Sequence, residues 1–240
     1  MKKLALLSLF ALLFLTVVAN ADTLYFYGGD LQPGIGNDNG LANENDAIVG
    51  GNPYGAATYQ NFIASSDITV SGLFTNNLCG LNPSSGYWEI RSGVSEGNGG
   101  TLIASGTASG NNFSKKPTGR SDFGFTEYED WAGSTASLNV SLTAGTYWFA
   151  VVPQDPGNAN RSFNSNSLNG IDAVGTQISN EQFFNSSFFG ANFTNANNEG
   201  VFPTFSSGVY TSNAIPEPSS LIMLGSGLVA AAGVVRRRLL

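Results

Sequence analysis

The side chains able to do chemistry fall into three groups. Asp30, Asn37, Asp38, Asn39, Asn43, Glu44 and Asp46 crowd one Gly-rich stretch. Calcium takes about six to eight oxygens from carboxylates, amides and backbone carbonyls, which makes Asp30, Asp38, Glu44 and Asp46 its candidate ligands. The spacing is not that of an EF-hand loop. Asn and Asp also dominate turns because they accept left-handed backbone and cap their own amides, so a plain solvated loop is the expected setting and calcium the alternative. The second group is Glu127-Tyr128-Glu129-Asp130-Trp131. On a strand Glu127 and Glu129 share a face roughly 7 Å apart, a separation suited to the two carboxyls of glycoside hydrolysis. Nothing in the sequence buries either one, and a solvated edge or loop is the expected setting. The third group is aromatic: Tyr128, Trp131, Tyr54 and Tyr59 lie near Gly, Asn and acidic residues. Such rings offer flat faces on which pyranose C–H groups stack, while neighbouring amides bind hydroxyls.

Other residues read as structure. Trp88 and Trp148 sit inside apolar alternating runs and are expected in the core. Cys79 is the single cysteine, so no intrachain disulfide or thiolate cluster forms, and its apolar surroundings predict a buried free thiol. No His occurs in the 240 residues, which removes the usual general base and imidazole metal ligands. Between Asp22 and Ala214 there are five basic and 16 acidic residues, a net charge of −11. Nucleic-acid affinity rests mainly on neutralising phosphate, so DNA and RNA are excluded as partners.

The elements that must hold these groups are strands. Ile68–Phe74, Tyr87–Arg91, Thr101–Ser109, Ser137–Leu142 and Gly145–Val152 alternate or are rich in β-formers, and each ends at Gly, Asn or Ser. Residues 87–109 read as one hairpin, and Thr75-Asn76-Asn77 reads as a turn. Residues 158–200 hold 11 Asn and six Phe with few β-branched residues, consistent with long loops or irregular strands. No stretch between Asp22 and Ala214 carries a helical apolar period. The fold class expected is all-β: an antiparallel, jelly-roll-like β-sandwich in one domain, residues 22–212, flanked by a signal helix and a C-terminal membrane helix.

The two ends carry addresses. Lys2 and Lys3, the apolar run Leu4–Val18 and the small-x-small site Ala19-Asn20-Ala21 form a secretory signal over residues 1–21, with cleavage before Asp22. At the other end Pro216-Glu217-Pro218 precedes the apolar run Leu221–Val235 and then Arg236-Arg237-Arg238. Three arginines after an apolar segment stay cytoplasmic, which leaves the preceding domain outside the inner membrane.

In that order these parts resemble the PEP-CTERM sorting signal, here spanning residues 213–240. Similar tails also carry an ice-binding-protein C-terminal name, but the chain lacks the regular Thr array that ordering ice-like water requires. The resemblance implies an exosortase-type processing enzyme as partner, with Pro216, Glu217 and Pro218 as recognition motif, Leu221–Val235 as transient inner-membrane anchor, and Arg236–Arg238 as stop-transfer cluster. It further implies delivery to the surface or extracellular matrix of a Gram-negative bacterium. Residues 56–153 are similar in pattern to carbohydrate-binding, galactose-binding-like sandwiches. The reading that follows is a non-catalytic binder of extracellular polysaccharide. Its alternatives are a structural or adhesive matrix protein and, on the acidic patch alone, a glycoside hydrolase.

Overall fold

Alternate burial along single strands builds the molecule in layers. In β11 (Gly145–Asp155), Tyr147, Phe149 and Val151 point into one apolar cluster while Trp148, Ala150 and Val152 point into another. That is the period of two expected of a strand covered on both faces. The structure, a computed structural model, describes residues 21–32, 39–51, 54–133, 138–168 and 170–213. Asp22–Ser212 form one compact unit.

The remaining strands are β1 (Ala21–Tyr27), β2 (Gly40–Ala42), β3 (Asn45–Asp46), β4 (Ala57–Ala64), β5 (Ile68–Cys79), β6 (Ser85–Ser92) and β7 (Thr101–Ser109). They continue with β8 (Phe113–Asp122), β9 (Phe125–Ala132), β10 (Val140–Leu142), β12 (Ser162–Ser165), β13 (Phe183–Ser186), β14 (Ala191–Asn195) and β15 (Ser207–Asn213). One sheet is organised on the long β5. Strands β15 and β12 lie along one edge of β5, with β1 and β2 beyond them. Strands β9 and β10 lie along the other edge, with β8 outside β9. The second sheet runs β14–β13–β4–β11–β6–β7, and the short β3 adds one parallel pairing to β11. All other pairings with a defined register are antiparallel. The chain passes repeatedly between sheets, so strands adjacent in sequence are often not adjacent in space.

Between the sheets Phe26, Phe62, Leu73, Ile90, Phe149, Val151 and Val209 form the main core. Each is almost fully buried and is worth about 1.5–3 kcal/mol of transfer free energy. The second sheet buries its other face too, under Tyr59, Tyr87, Trp148, Phe183 and Phe193.

The all-β expectation holds, and β6–β7 is the hairpin read over 87–109. The turn expected at Thr75-Asn76-Asn77 does not form, because β5 continues through it to Cys79. Both amides are buried and take partners distant in sequence. Asn76 Nδ2 donates to Ser206 Oγ at 2.8 Å, and Asn77 Nδ2 donates to Asp130 Oδ2 at 2.9 Å. Those bonds replace the local self-capping that makes Asn a turn former. The Asn/Phe-rich region contributes β12, β13 and β14 between loops. The signal helix and the C-terminal membrane helix lie outside the described residues. Among the described residues no helix is long and apolar enough to cross a membrane.

Candidate functional site

On β5 the odd-numbered side chains Leu73, Thr75 and Asn77 face inward, which turns Gly72, Phe74 and Asn76 outward. Strand β9 pairs Phe74 with Trp131 and Asn76 with Glu129, bringing both onto that outer face. Across the other edge of β5, Tyr210 pairs with Gly72. A Cβ at Gly72 would stand 2.5 Å from Trp131 Nε1, so the glycine leaves room for the indole against β5. There it stacks on Tyr210, with centroids 5.0 Å apart and planes 20° apart. Gly208 likewise leaves room for the Phe74 ring. The result is a row of four rings across the sheet. Tyr27 and Phe74 are 5.6 Å apart, Phe74 and Tyr210 5.7 Å, and Trp131 ends the row. Tyr27 and Phe74 form its buried base, and Tyr210 and Trp131 are half-buried.

Beside this row is a cleft of about 400 Å³ lined by Tyr27, Asp30, Phe74, Asn76, Lys116, Arg120, Glu129 and Tyr210. Its floor is tightly paired. Arg120 binds the fully buried Glu127 through Nε at 2.5 Å and Asp30 through Nη1 at 2.8 Å. The Thr118 hydroxyl also donates to Glu127, at 2.6 Å. The Tyr27 hydroxyl donates to Asp30 at 2.6 Å, and burial raises this phenol further above its ordinary range. Lys116 stands opposite Glu129 in register and 5.5 Å from the Trp131 ring. Burial raises the Glu129 carboxyl, against the pull of Lys116 and Arg120. Asn76 Oδ1 and Glu127 Oε1 are buried acceptors with no hydrogen-bond partner.

The sequence candidates are scattered. Tyr128 and Trp131 are three apart on one strand and therefore face opposite ways; Tyr128 lies inward, 4.0 Å from Lys115 Nζ to ring centroid. Tyr54 and Tyr59 belong to the far side of the second sheet. Tyr59 is fully buried and donates to Glu89 at 2.5 Å, so it offers no face to a ligand. Tyr54 is half-buried, its hydroxyl 2.8 Å from those of Tyr59 and from the donating amide of Asn185. It lines a separate cleft of about 450 Å³ with Asn185, Ser187 and Asn192. The four aromatics are thus not one platform. Only Trp131 stands in the ring row.

The acidic patch is also not the solvated edge expected. Glu127 and Glu129 share the outer face, but Glu127 is locked by Arg120 and Thr118. Asp130 points inward, fully buried, and burial pushes its carboxyl up to about 7 despite the Asn77 bond. Cys79 is the buried free thiol expected, pushed up to about 11 by burial. Trp148 is in the core and donates to the Glu181 carbonyl at 2.7 Å, and Trp88 packs half-buried against the inter-sheet cluster.

The calcium candidates are not gathered into one group among the described residues. Asp38 lies outside the described residues. Asp30 is paired with Arg120. The buried Glu44 takes Arg161 at 2.6 Å and the Ser162 amide at 2.7 Å. Asp46 Oδ1 caps the amides of Ile48 and Val49 at 2.7 and 2.9 Å, as an aspartate does in a turn. Among the described residues no three His, Cys, Asp or Glu side chains group to hold a metal.

Tyr27, Asn76, Lys116, Arg120 and Tyr210 escaped the sequence reading. The available sign was glycine inside a strand, Gly72 in Val70-Ser-Gly-Leu-Phe74 and Gly208 before Val209-Tyr210, which marks a close approach by another group.

Comparison with known proteins speaks to the other end of the chain. Residues 214–238 match the PEP-CTERM protein-sorting motif. The chain carries that motif, and the motif indicates an exported protein sorted through its C-terminus and processed by exosortase. It covers about a tenth of the sequence and falls outside the described residues, as do Pro216, Glu217, Pro218, Arg236–Arg238 and the signal residue Ala19. Ala21 and Asp22 open β1. No curated protein matches the chain. One similar solved structure is that of the cysteine protease and lectin-like domains of Cwp84, a surface layer associated protein of Clostridium difficile. It is 15% identical with a TM-score of 0.39, over 67% of this chain and 33% of that one. The present chain thus spans about a third of that protein's length, and at this score the likeness carries no argument about function.

Proposed function

We propose that this exported protein is delivered to the surface or extracellular matrix of a Gram-negative bacterium, where its sandwich binds polysaccharide without cleaving it. The glycan lies along the Trp131–Tyr210 stack. What carries the reading is that stack: two half-buried rings, the indole against Gly72, beside a cleft with polar walls. Ring faces take the C–H side of a pyranose, and the amide and charged groups around them take its hydroxyls. The carboxylates support a non-catalytic role. Hydrolysis needs one carboxyl free to attack or activate water, and Glu127 is buried and bound by Arg120.

The test is retention of the exported protein on the host's own matrix polysaccharide. Trp131→Ala and Tyr210→Ala should each weaken retention at least tenfold, about 1.4 kcal/mol. Tyr128→Ala and Tyr54→Ala, on other surfaces, should leave it within twofold. Binding that survives both cleft changes removes the site from this face.

A second reading, adhesive contact with other proteins, draws on a different observation. Phe188 and Phe189 form an edge-to-face pair on the β13–β14 loop, exposed by 57% and 46%, where rings without polar atoms suit an apolar partner better than a sugar. Wild-type protein that ignores the polysaccharide but is captured by matrix proteins through Phe188 and Phe189 would establish it.

A further inference from the structure

We propose that the first-sheet cleft selects a neutral pyranose chain with free hydroxyls and rejects polymers bearing carboxylate or sulfate; this rests on the glycan reading above and narrows it to a ligand class. The argument is an inventory of charge and of hydrogen-bonding sense at the cleft.

Its cations each stand against carboxylates. Arg120 spends its guanidinium on Glu127 and Asp30, at 2.5 and 2.8 Å. Lys116 faces Glu129 across the β8–β9 ladder and leans towards Trp131. Asp30 and Glu129 line the space a ligand would fill, beside Lys116 and Arg120. An anionic sugar entering there meets two carboxylates, with Arg120 already held by Glu127 and Asp30 and the charge of Lys116 drawn to Glu129. The surrounding domain, at −11, adds to the repulsion.

Hydrogen-bonding sense points the same way. The unmet polar atom of the lining, Asn76 Oδ1, is an acceptor, and its residue is 2% exposed. A hydroxyl supplies the donor it lacks and still accepts from a neighbour. A carboxylate or sulfate placed there only accepts, and leaves it unmet. A site whose polar atoms need donors discriminates against ligands that lack them, because the mismatch leaves buried groups unpaired. Selection against charge is therefore built into the cleft as well as into the whole surface, and salt separates the two. At about 1 M salt the Debye length falls to about 3 Å, which silences the distant surface charge but not contacts within the cleft.

The experiment pairs each acidic polymer with its own neutral form. Polygalacturonate, polymannuronate and polyglucuronate are compared with the hexose polymers made by reducing their carboxyl groups, so that linkage and ring stereochemistry stay fixed. Retention of the mature exported protein is measured at 0.15 M and 1 M sodium chloride. The expected result is that at least one reduced polymer is retained, and at least tenfold more strongly than its acidic parent, at both salt concentrations. Glu129→Gln should narrow that ratio at least threefold. Equal retention of both members of every retained pair at 1 M salt overturns the selectivity while leaving the glycan site standing. A ratio unmoved by Glu129→Gln overturns the assignment of the selectivity to this cleft. If none of the six polymers is retained, the selectivity as stated fails, and the glycan reading fails with it where the host's own polysaccharide is not retained either. Loss of all retention in Trp131→Ala identifies the cleft as the surface being measured.

Discussion

Asp130 sits between the sheets with one oxygen bonded to Asn77 and the other without a partner, so its carboxyl keeps a proton up to about pH 7. Free in the unfolded chain it would release that proton near pH ~3.9. The folded state therefore holds a proton that the unfolded state has lost over the window from about 4 to 7. Stability from this group is fully present below that window and declines as pH climbs through it. Glu44, pushed up to about 7 by burial despite Arg161, acts in the same direction. The melting temperature should be higher at pH 5 than at pH 8, and Asp130→Asn should flatten the difference in thermal melts followed by near-UV circular dichroism. A melting temperature that rises from pH 5 to 8 would contradict the burial argument. Gly72 carries a different kind of constraint. Gly72→Ala puts a methyl into the indole of Trp131, an overpacking that costs about 1–3 kcal/mol. Its polysaccharide retention should fall further than the stability loss explains, because the stack on Tyr210 is broken. These two residues also mark what the sequence could and could not tell. A glycine within an alternating strand is legible. The partner that buries Asp130 comes from 53 residues away, and no local pattern contains it.

At the scale of elements, the β8–β9 hairpin turns in two residues, Phe123 and Gly124, with Asp122 paired to Phe125. Both turn residues have positive φ, 50° and 80°. Such turns prefer Asn-Gly, since a bulky side chain is strained in the left-handed region. Phe123 is 55% exposed and recovers little by burial. Phe123→Asn should therefore stabilise the protein by about 0.5–1 kcal/mol, a rise of about 1–4 °C in a domain of this size. A fall in melting temperature would mean that the exposed ring contributes packing worth more than the strain. Strands with regular alternation, such as β6 and β11, were readable because their residues face two buried layers in turn. The same rule divides the face of β9, since Tyr128 and Trp131, three apart, must diverge once the segment is a strand, although the sequence reading grouped them. Strands β12–β14 were not readable in that way. Their Asn and Ser side chains pair across to other strands, as when Asn164 Nδ2 donates to Thr58 and Ser207 at 2.7 and 3.0 Å, so polar residues occupy buried positions.

Across the whole molecule, the last described strand lies in the interior of the first sheet. Strand β15 is hydrogen-bonded on one side to β5 and on the other to β1, places Val209 in the main core and Tyr210 in the ring row, and ends at Asn213. The sorting motif begins at residue 214. No connecting stretch separates the final strand from the motif, so the sheet itself fixes the upstream limit for any cut that releases the protein. A cut before Ser207 would leave β5 and β1 with facing unpaired edges and strip half of the aromatic stack. Chains ended after Ser206 should fail to give a cooperative melt, whereas chains ended after Asn213 should melt as the exported protein does. Mass spectrometry of the mature form should accordingly find its C-terminus at Asn213 or beyond, with the cleft intact on every molecule that leaves the membrane.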